Sequence, residues 1–441
     1  MDLWYTKKEI VTVERRLDMK KKICILGLGY IGLPTAAMFA THGHPITGVD
    51  VNPEVVQALN QGKIIIEEPY LDIMVQAAVT SGNLTASTEP TEADVFIIAV
   101  PTPMNQDKTA NLTYVKEAAQ SMLPYLRKGN IVVLESTSPP GTVEEVLVPI
   151  LAESGLAIGE ELLVAHSPER VLPGKILMEL VQNNRIVGGI NQQSCEAVRD
   201  LYRTFVKGEI FLTDATTAEM CKLMENTFRD VNIALANELA KICEEMNINA
   251  WEVIQLANKH PRVNLHQPGP GVGGHCLAID PWFIIEKQPQ LAQMITLGRN
   301  INDSMPKHVL KRTKEIIRNI DGKKKVVVLG VTYKPDIDDM RESPLLQFVS
   351  LLEQEEDIEV VVIDPHVKEC PHLEKDIWKA FNNSHLVIVG VHHRAFAHLD
   401  FNQMKAVMKV PNILDTRNYW DEEELSQLGF HYYLLGKKNG E

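Results

Sequence analysis

From Lys22 onward the chain alternates short apolar runs with longer amphipathic stretches. KICILG (22–27), PITGVD (45–50), DVFIIAV (94–100), NIVVLES (130–136) and ELLVAH (161–166) are apolar runs bounded by turn residues. Near-continuous apolar strands separated by helix-length segments predict a parallel sheet buried on both faces. RIVGG (185–189) and EIFLTD (209–214) extend the series. From Thr216 to about Met246 the pattern becomes one long helix without Pro or Gly, and Thr216 and Glu219 have the spacing of a capping box. Asn249 and Glu252 repeat that spacing before a second helix. A Gly/Pro-rich loop at 268–274 and more helix to about Ile320 follow. KKKVVVLG, IEVVVID, HLVIVGV and NILDT then restore the alternation of strand and helix.

The pattern therefore predicts an α/β chain with a helical middle. At roughly 150 residues per domain, 441 residues suggest about three domains. The expected boundaries are 20–212, 213–318 and 319–441, with residues 1–19 a disordered or loosely packed extension. That first stretch is charged and aperiodic and lacks the apolar centre of a secretion signal.

Charge narrows the partners. Lys plus Arg is 44 and Asp plus Glu is 58, a net −14. So acidic a chain is poorly suited to nucleic acid or an anionic membrane, both of which select a positive face. Pockets for small anions remain open. The six cysteines show no CxxC pair and no zinc-like spacing, so no metal site is expected. They fit a reducing cytoplasm, and no run approaches the roughly 18 apolar residues of a membrane span.

The first chemistry lies at Gly27-Leu28-Gly29-Tyr30-Ile31-Gly32, a GxGxxG that follows a strand and opens a helix. The glycines allow a tight turn and let a pyrophosphate approach the helix N-terminus, where free N–H groups and the dipole favour anions. Asp50, at the end of the next strand, stands near the usual spacing for an acid on a ribose 2′-hydroxyl, which favours NAD over NADP. Pro101, Thr102 and Thr137 follow the next two strands, where ligands of open parallel sheets sit. A Rossmann-type NAD domain is the expected fold of the first region.

The second chemistry lies in QPGPGVGGHCLAIDPWF (267–283). Gly271, Gly273 and Gly274 remove bulk before Cys276, which predicts access for a ligand to backbone and sulfur. Cys276 is expected to start a helix whose dipole lowers its pKa. A thiolate there can attack an aldehyde; the thiohemiacetal can give up a hydride, and water can open the thioester. On the long helix Lys222 and Asn226 share a face, with Arg229 next along it, and Lys222 can stabilise an alkoxide. On the residues alone, a structural cysteine and a solvated helix face stay open as alternatives.

Together GLGYIG, VPTP, ESTSPPGT, SPERVLPG, AEMCKLMEN, GPGVGGHC and KPDIDDMRESP resemble the UDP-glucose/GDP-mannose dehydrogenase family in its own order, over residues 20 to about 420. The resemblance implies Cys276 as nucleophile, Lys222 and Asn226 as the oxyanion pair, and Asp280, Glu169 and Thr137 as residues near the hydrolytic water. It implies substrate contacts from Arg170, Val171, Leu172, His266 and Gly273, and from Arg262 reaching across from a partner subunit. Lys334 and Arg341 match residues of a C-terminal Rossmann-like, UDP-binding domain, and the central helices match a dimerisation core. ENTFRDVNIALANEL and NKHPRVN look like the branch acting on UDP-N-acetyl-D-mannosamine, whose reaction consumes two NAD⁺ and yields the uronate. UDP-N-acetylglucosamine or UDP-glucose as substrate, a single-step hydroxyacid dehydrogenase, and a non-catalytic NAD-binding regulator are the competing readings. The third region turns at GVTYKP instead of GxGxxG, so no second NAD site is expected there, and Asp364 is read as structural.

Overall fold

The computed structural model describes residues 20–438, and the expectation for residues 1–19 lies outside them. Two compact units divide between Met224 and Glu225, inside the long helix.

The first unit is built on an eight-stranded sheet. Its strands are β1 (Ile23–Leu26), β2 (Ile46–Val49), β3 (Leu84–Ser87), β4 (Val95–Ile98), β5 (Asn130–Leu134), β6 (Leu162–His166), β7 (Arg185–Gly189) and β8 (Ile210–Asp214). They lie in the order β3-β2-β1-β4-β5-β6-β7-β8, so the order reverses between β1 and β4. That reversal opens a crevice at the carboxyl ends of the strands, where the glycine loop leaves β1 for helix α1 (Gly32–Thr41). β4 and β5 are buried at every position, the property that made them readable as uninterrupted apolar runs. β3 buries only Leu84 well and carries no such signature; it is an edge strand missed by the apolar pattern.

One pairing departs from an all-parallel sheet. β7 returns antiparallel to β6, with His166 opposite Gly188, and β8 runs parallel to β7. The chain thus re-enters the sheet at the edge where β6 left it, which places Arg185 beside the loops after β5 and β6.

The long helix α2 (Ala215–Met246) follows β8. Its cap differs from the expected box. Asp214 accepts the Thr217 amide at 2.8 Å, while the Glu219 carboxylate turns away to the amides of Gly141 (2.6 Å) and Val143 (2.8 Å). Two free amides of another turn compete for Glu219 better than its own helix start does.

In the second unit come α3 (Ala250–Ala257), α4 (Asp280–Lys287), α5 (Gln293–Asp303) and α6 (Met305–Ile317). Asn249 caps α3 as expected, accepting the Trp251 amide at 3.0 Å. A five-stranded parallel sheet follows in the order β10-β9-β11-β12-β13, from β9 (Lys324–Leu329), β10 (Ile358–Ile363), β11 (Leu386–Val389), β12 (Asn412–Asp415) and β13 (His431–Leu434). β13 is the second edge strand that the pattern missed. Met305, Val309 and Ile317 of α6 share a core with β9 and β10, and Trp251 Nε1 donates to the Leu435 carbonyl at 2.7 Å. Central helices and C-terminal sheet are fastened together by buried apolar and polar contacts. No helix among the described residues is long and apolar enough to cross a membrane.

Candidate active site

The cofactor loop is shaped by close backbone contacts. Gly27 has φ +96°, and a Cβ there would stand 2.6 Å from the Ala99 carbonyl oxygen. A Cβ on Gly32 would run into the Gly27 carbonyl oxygen, whereas one on Gly29 would meet nothing within 4 Å. Gly27 and Gly32 are therefore needed by the turn itself, and Gly29 borders open space through which a pyrophosphate can reach the backbone. The α1 N-cap, Ile31, supplies no side-chain oxygen, so the first turn's amides are not claimed by a cap. Tyr30 is exposed beside them. Asp50 is fixed by the amides of Leu28 (3.1 Å) and Asn52 (3.0 Å), which tie the acid directly to the glycine loop. These residues fit a dinucleotide.

The loops after β4 and β5 are stitched together at the same sheet edge. Thr102 Oγ1 donates to the Thr137 carbonyl at 2.6 Å, and Ser136 Oγ to the Val100 carbonyl at 2.7 Å. Pro101 is exposed beside them, and Thr137 is half-buried.

Glu169 does not stand alone. Arg185 lies between two carboxylates, 2.8 Å from Glu169 and 2.6 Å from Glu135, and its Nε donates to Ser167. Tyr202 donates to Glu135 at 2.5 Å, and the Arg185 guanidinium stacks over the Tyr202 ring at 3.8 Å. Arg185, Glu135, Glu169 and Tyr202 are all buried. One cation cannot balance two buried carboxylates. Burial, opposed by Arg185 and reinforced by Glu169, pushes Glu135 up to about 7. Glu135 and Arg185 were not among the expected site residues, although Glu135 opens the motif that contains Thr137.

This network gives a stability prediction. The folded state holds the Glu135 proton more tightly than the unfolded chain does, so stability falls as pH rises from an ordinary carboxylate value toward 7 and levels above it. Glu219, also raised by burial to about 7, adds to the same slope. Thermal unfolding of Glu135→Gln between about pH 5 and 8 is expected to show a shallower decline than the parent. Parallel curves would contradict the assignment.

Of the residues after β6 that the resemblance assigns to substrate, Arg170 and Val171 are half-buried and Leu172 is exposed. The Arg170 guanidinium donates to the Asn184 carbonyl, and its amide to Glu169 at 2.7 Å.

The loop of Cys276 belongs to the second unit. Asn226 Nδ2 donates to Asp280 Oδ2 at 2.6 Å, and both residues are buried. Asp280 opens α4, where the helix dipole favours its negative form. Contrary to the expectation from sequence, Cys276 does not start that helix. It lies one turn earlier, its carbonyl accepting the amides of Ile279 (3.0 Å) and Asp280 (2.8 Å). The geometry therefore links Cys276, Asp280 and Asn226 through one short turn and one buried hydrogen bond. Lys222 stands one helical turn before Asn226 on α2, half-buried. Arg229 is exposed and leaves that face; the buried polar line continues instead through Asp230 and Asn237.

The glycine run has a packing reason beside the access expected of it. A Cβ at Gly273 would stand 2.6 Å from the Glu342 carbonyl, and one at Gly274 (φ +85°) 2.9 Å from the Tyr333 ring. At Gly271 it would stand 2.7 Å from Pro344. Gly274 also donates its amide to the Arg341 carbonyl at 3.0 Å. Bulk is removed so that the cysteine loop can lie against the 333–344 loop, which carries Lys334 and Arg341. From the other side, Gly269 donates to Asn237, Asn237 to Asn302, and Asn302 to Asp230, which also holds buried Arg299. The sequence signal for this scaffold was the polar spacing 226, 230, 237 on the buried face of α2.

Lys334 is half-buried, and exposed Arg341 grips Asp339 through Nε and Nη2. Arg262 is exposed on a loop closed at its base by Asn258 and Leu265. His266 packs against Phe228, and burial together with the Arg229 charge lowers its pKa.

In the second sheet Asp364 repeats the part played by Asp50, accepting the amides of Val331 (2.8 Å) and His366 (2.9 Å). Here, however, buried His393 also sits on its carboxylate at 3.2 Å, and His393 Nδ1 accepts the Asp336 amide. The acid is enclosed. Asp336, His366 and His393 stand close enough to hold an ion, but Arg394 occupies both Asp336 carboxylate oxygens.

A parallel-sheet fold whose glycine loop is tied to an acid at the end of the second strand defines the class of dinucleotide-binding α/β proteins. The chain matches the NAD binding domain of the UDP-glucose/GDP-mannose dehydrogenase family over residues 21–206, its central domain over 216–304 and its UDP binding domain over 327–422. It belongs to that family, and NAD is its cofactor. It is 47% identical over 422 residues to a UDP-N-acetyl-D-mannosamine dehydrogenase of Methanocaldococcus jannaschii, covering 94% of this chain and 96% of the relative. An NDP-N-acetyl-D-galactosaminuronic acid dehydrogenase of Ralstonia solanacearum is 45% identical, covering 92% and 98%. The solved UDP-N-acetyl-mannosamine dehydrogenase Cap5O from S. aureus superposes with a TM-score of 0.86 at 50% identity, covering 94% and 99%.

Proposed function

We propose that the enzyme oxidises the C6 hydroxymethyl group of UDP-N-acetyl-D-mannosamine to the carboxylate. The observation that carries this reading is the Cys276–Asp280–Asn226 unit, held against the loop of Lys334 and Arg341. NAD, when bound, accepts the hydride at each of the two oxidations. The chain's residues do the rest. Lys222 places a positive charge for the alkoxide of the first step and the oxyanions of the later ones. Cys276 adds as thiolate to the aldehyde carbon; loss of hydride leaves a thioester, and water displaces the thiolate to give the acid. Asn226 orients Asp280, which takes a proton from that water. Lys334 and Arg341 contact the UDP end.

Subunit association belongs to the same reading. Phe228, Leu235, Ile242 and Met246 expose an apolar line along α2 that a second copy would cover, making a homodimer whose Arg262 reaches the neighbouring site. A cytoplasmic setting, where the cysteine stays reduced, suits this chemistry.

The Ralstonia relative favours one alternative, the same chemistry on a different N-acetylhexosamine nucleotide. Purified enzyme offered each nucleotide sugar is expected to turn over UDP-N-acetylmannosamine fastest, with two NADH formed per uronate seen by mass spectrometry. Faster turnover of UDP-N-acetylglucosamine, an N-acetylgalactosamine nucleotide or UDP-glucose would overturn the choice of sugar. A yield of one NADH with an aldehyde product would overturn the chemistry.

A further inference from the structure

His166 ends β6, is wholly buried, and has no hydrogen-bond partner on either ring nitrogen among the described residues. The carbonyl of Leu134, its neighbour on β5, accepts the Ser167 amide at 2.9 Å and lies close enough to the ring to act on it, but makes no well-formed hydrogen bond to either nitrogen. Buried polar groups are nearly always satisfied, so a histidine left this way calls for a reason.

Its surroundings supply one. Leu162 and Val164 precede it at alternate positions on β6 and pack in one core with Ala215, the first residue of α2. Gly188, opposite His166 on β7, lies under α2 so closely that a Cβ there would stand 2.6 Å from the Ala218 Cβ. Lys222 is the next residue on that helix face after Ala218. Glu219, the acid on this turn, is committed to the amides of Gly141 and Val143. Burial, opposed by the Leu134 carbonyl and helped by the Lys222 charge, presses His166 down to about 3, so the ring is neutral wherever the enzyme works.

We propose that His166 is a positioning residue for Lys222: the lone pair of its neutral ring takes one N–H of the ammonium and fixes where that charge stands. An ammonium has three donors, so two remain for the oxyanion. A carboxylate in the same place would neutralise Lys222, whereas a neutral acceptor holds it without discharging it. The inference rests on the role given to Lys222 above.

A double-mutant cycle tests it, with kcat, KM and the melting transition measured for each variant. His166→Leu is expected to lower kcat at least about tenfold in the parent, with a smaller change in KM for the UDP-sugar. In a Lys222→Met background, read by single turnover, the same change is expected to cost less than about twofold. His166→Gln, whose amide oxygen can accept, is expected to recover to within about threefold of the parent. Equal losses in both backgrounds mark a merely structural histidine and overturn the proposal, as does parental kcat in His166→Leu. If His166→Leu loses the native melting transition, His166→Met replaces it in the cycle. Parental activity in Lys222→Met would instead remove the premise, and the cycle reads that separately.

Discussion

Cys276→Ala is expected to reduce uronate formation by at least about a thousandfold while leaving NAD affinity within about twofold. The thiol is needed at one point only, when the aldehyde must be held as a covalent adduct that can surrender a second hydride. The first oxidation does not involve sulfur, so a slow release of aldehyde with a single NADH is the expected residue of activity. The turn should survive the change, because Cys276 contributes its carbonyl, not its side chain, to the bonds with Ile279 and Asp280. NADH counted against product by mass spectrometry gives the answer, and parental uronate formation would rule out the thioester route.

The second large effect lies in the glycine loop and separates folding from binding. Gly32→Ala drives a methyl group into the Gly27 carbonyl, a backbone atom that can move only by deforming the turn between β1 and α1. It should lower both the melting temperature and NAD affinity, the latter at least about tenfold. Gly29→Ala meets no atom within 4 Å and should melt like the parent. Its methyl nevertheless stands where the pyrophosphate must approach, so NAD binding is again expected to fall about tenfold. Calorimetric titration with NAD beside a melting curve distinguishes the two variants; normal NAD affinity in Gly29→Ala would remove the pyrophosphate from that side of the loop.

What could be read from the chain followed physical lines. Strands buried on both faces announced themselves as unbroken apolar runs, and β3 and β13, each at a sheet edge, did not. The Asp50 and Asn249 assignments depend on partners two to about twenty residues away, and local spacing captures those. Glu219, Cys276 and the glycines at 271–274 were assigned from neighbours in sequence, while their environment is made by residues far along the chain: Gly141, Tyr333, Glu342 and Pro344. No periodicity encodes such meetings. The Glu135–Arg185–Glu169 cluster was hidden for the same reason, since it depends on β7 running back against β6.

The enclosed acid of the second sheet carries a lesson about interdependence. Asp50 and Asp364 hold their loops by equivalent pairs of amide bonds, yet only Asp364 is also covered by a histidine ring. Removing that cover would mean deleting His393, whose ring also anchors the Asp336 amide and with it the loop leading to Lys334 and Arg341. The histidine has become a latch between two duties. Loss of that one ring would both uncover the acid and loosen the loop on the far side of it, so the two cannot be changed separately.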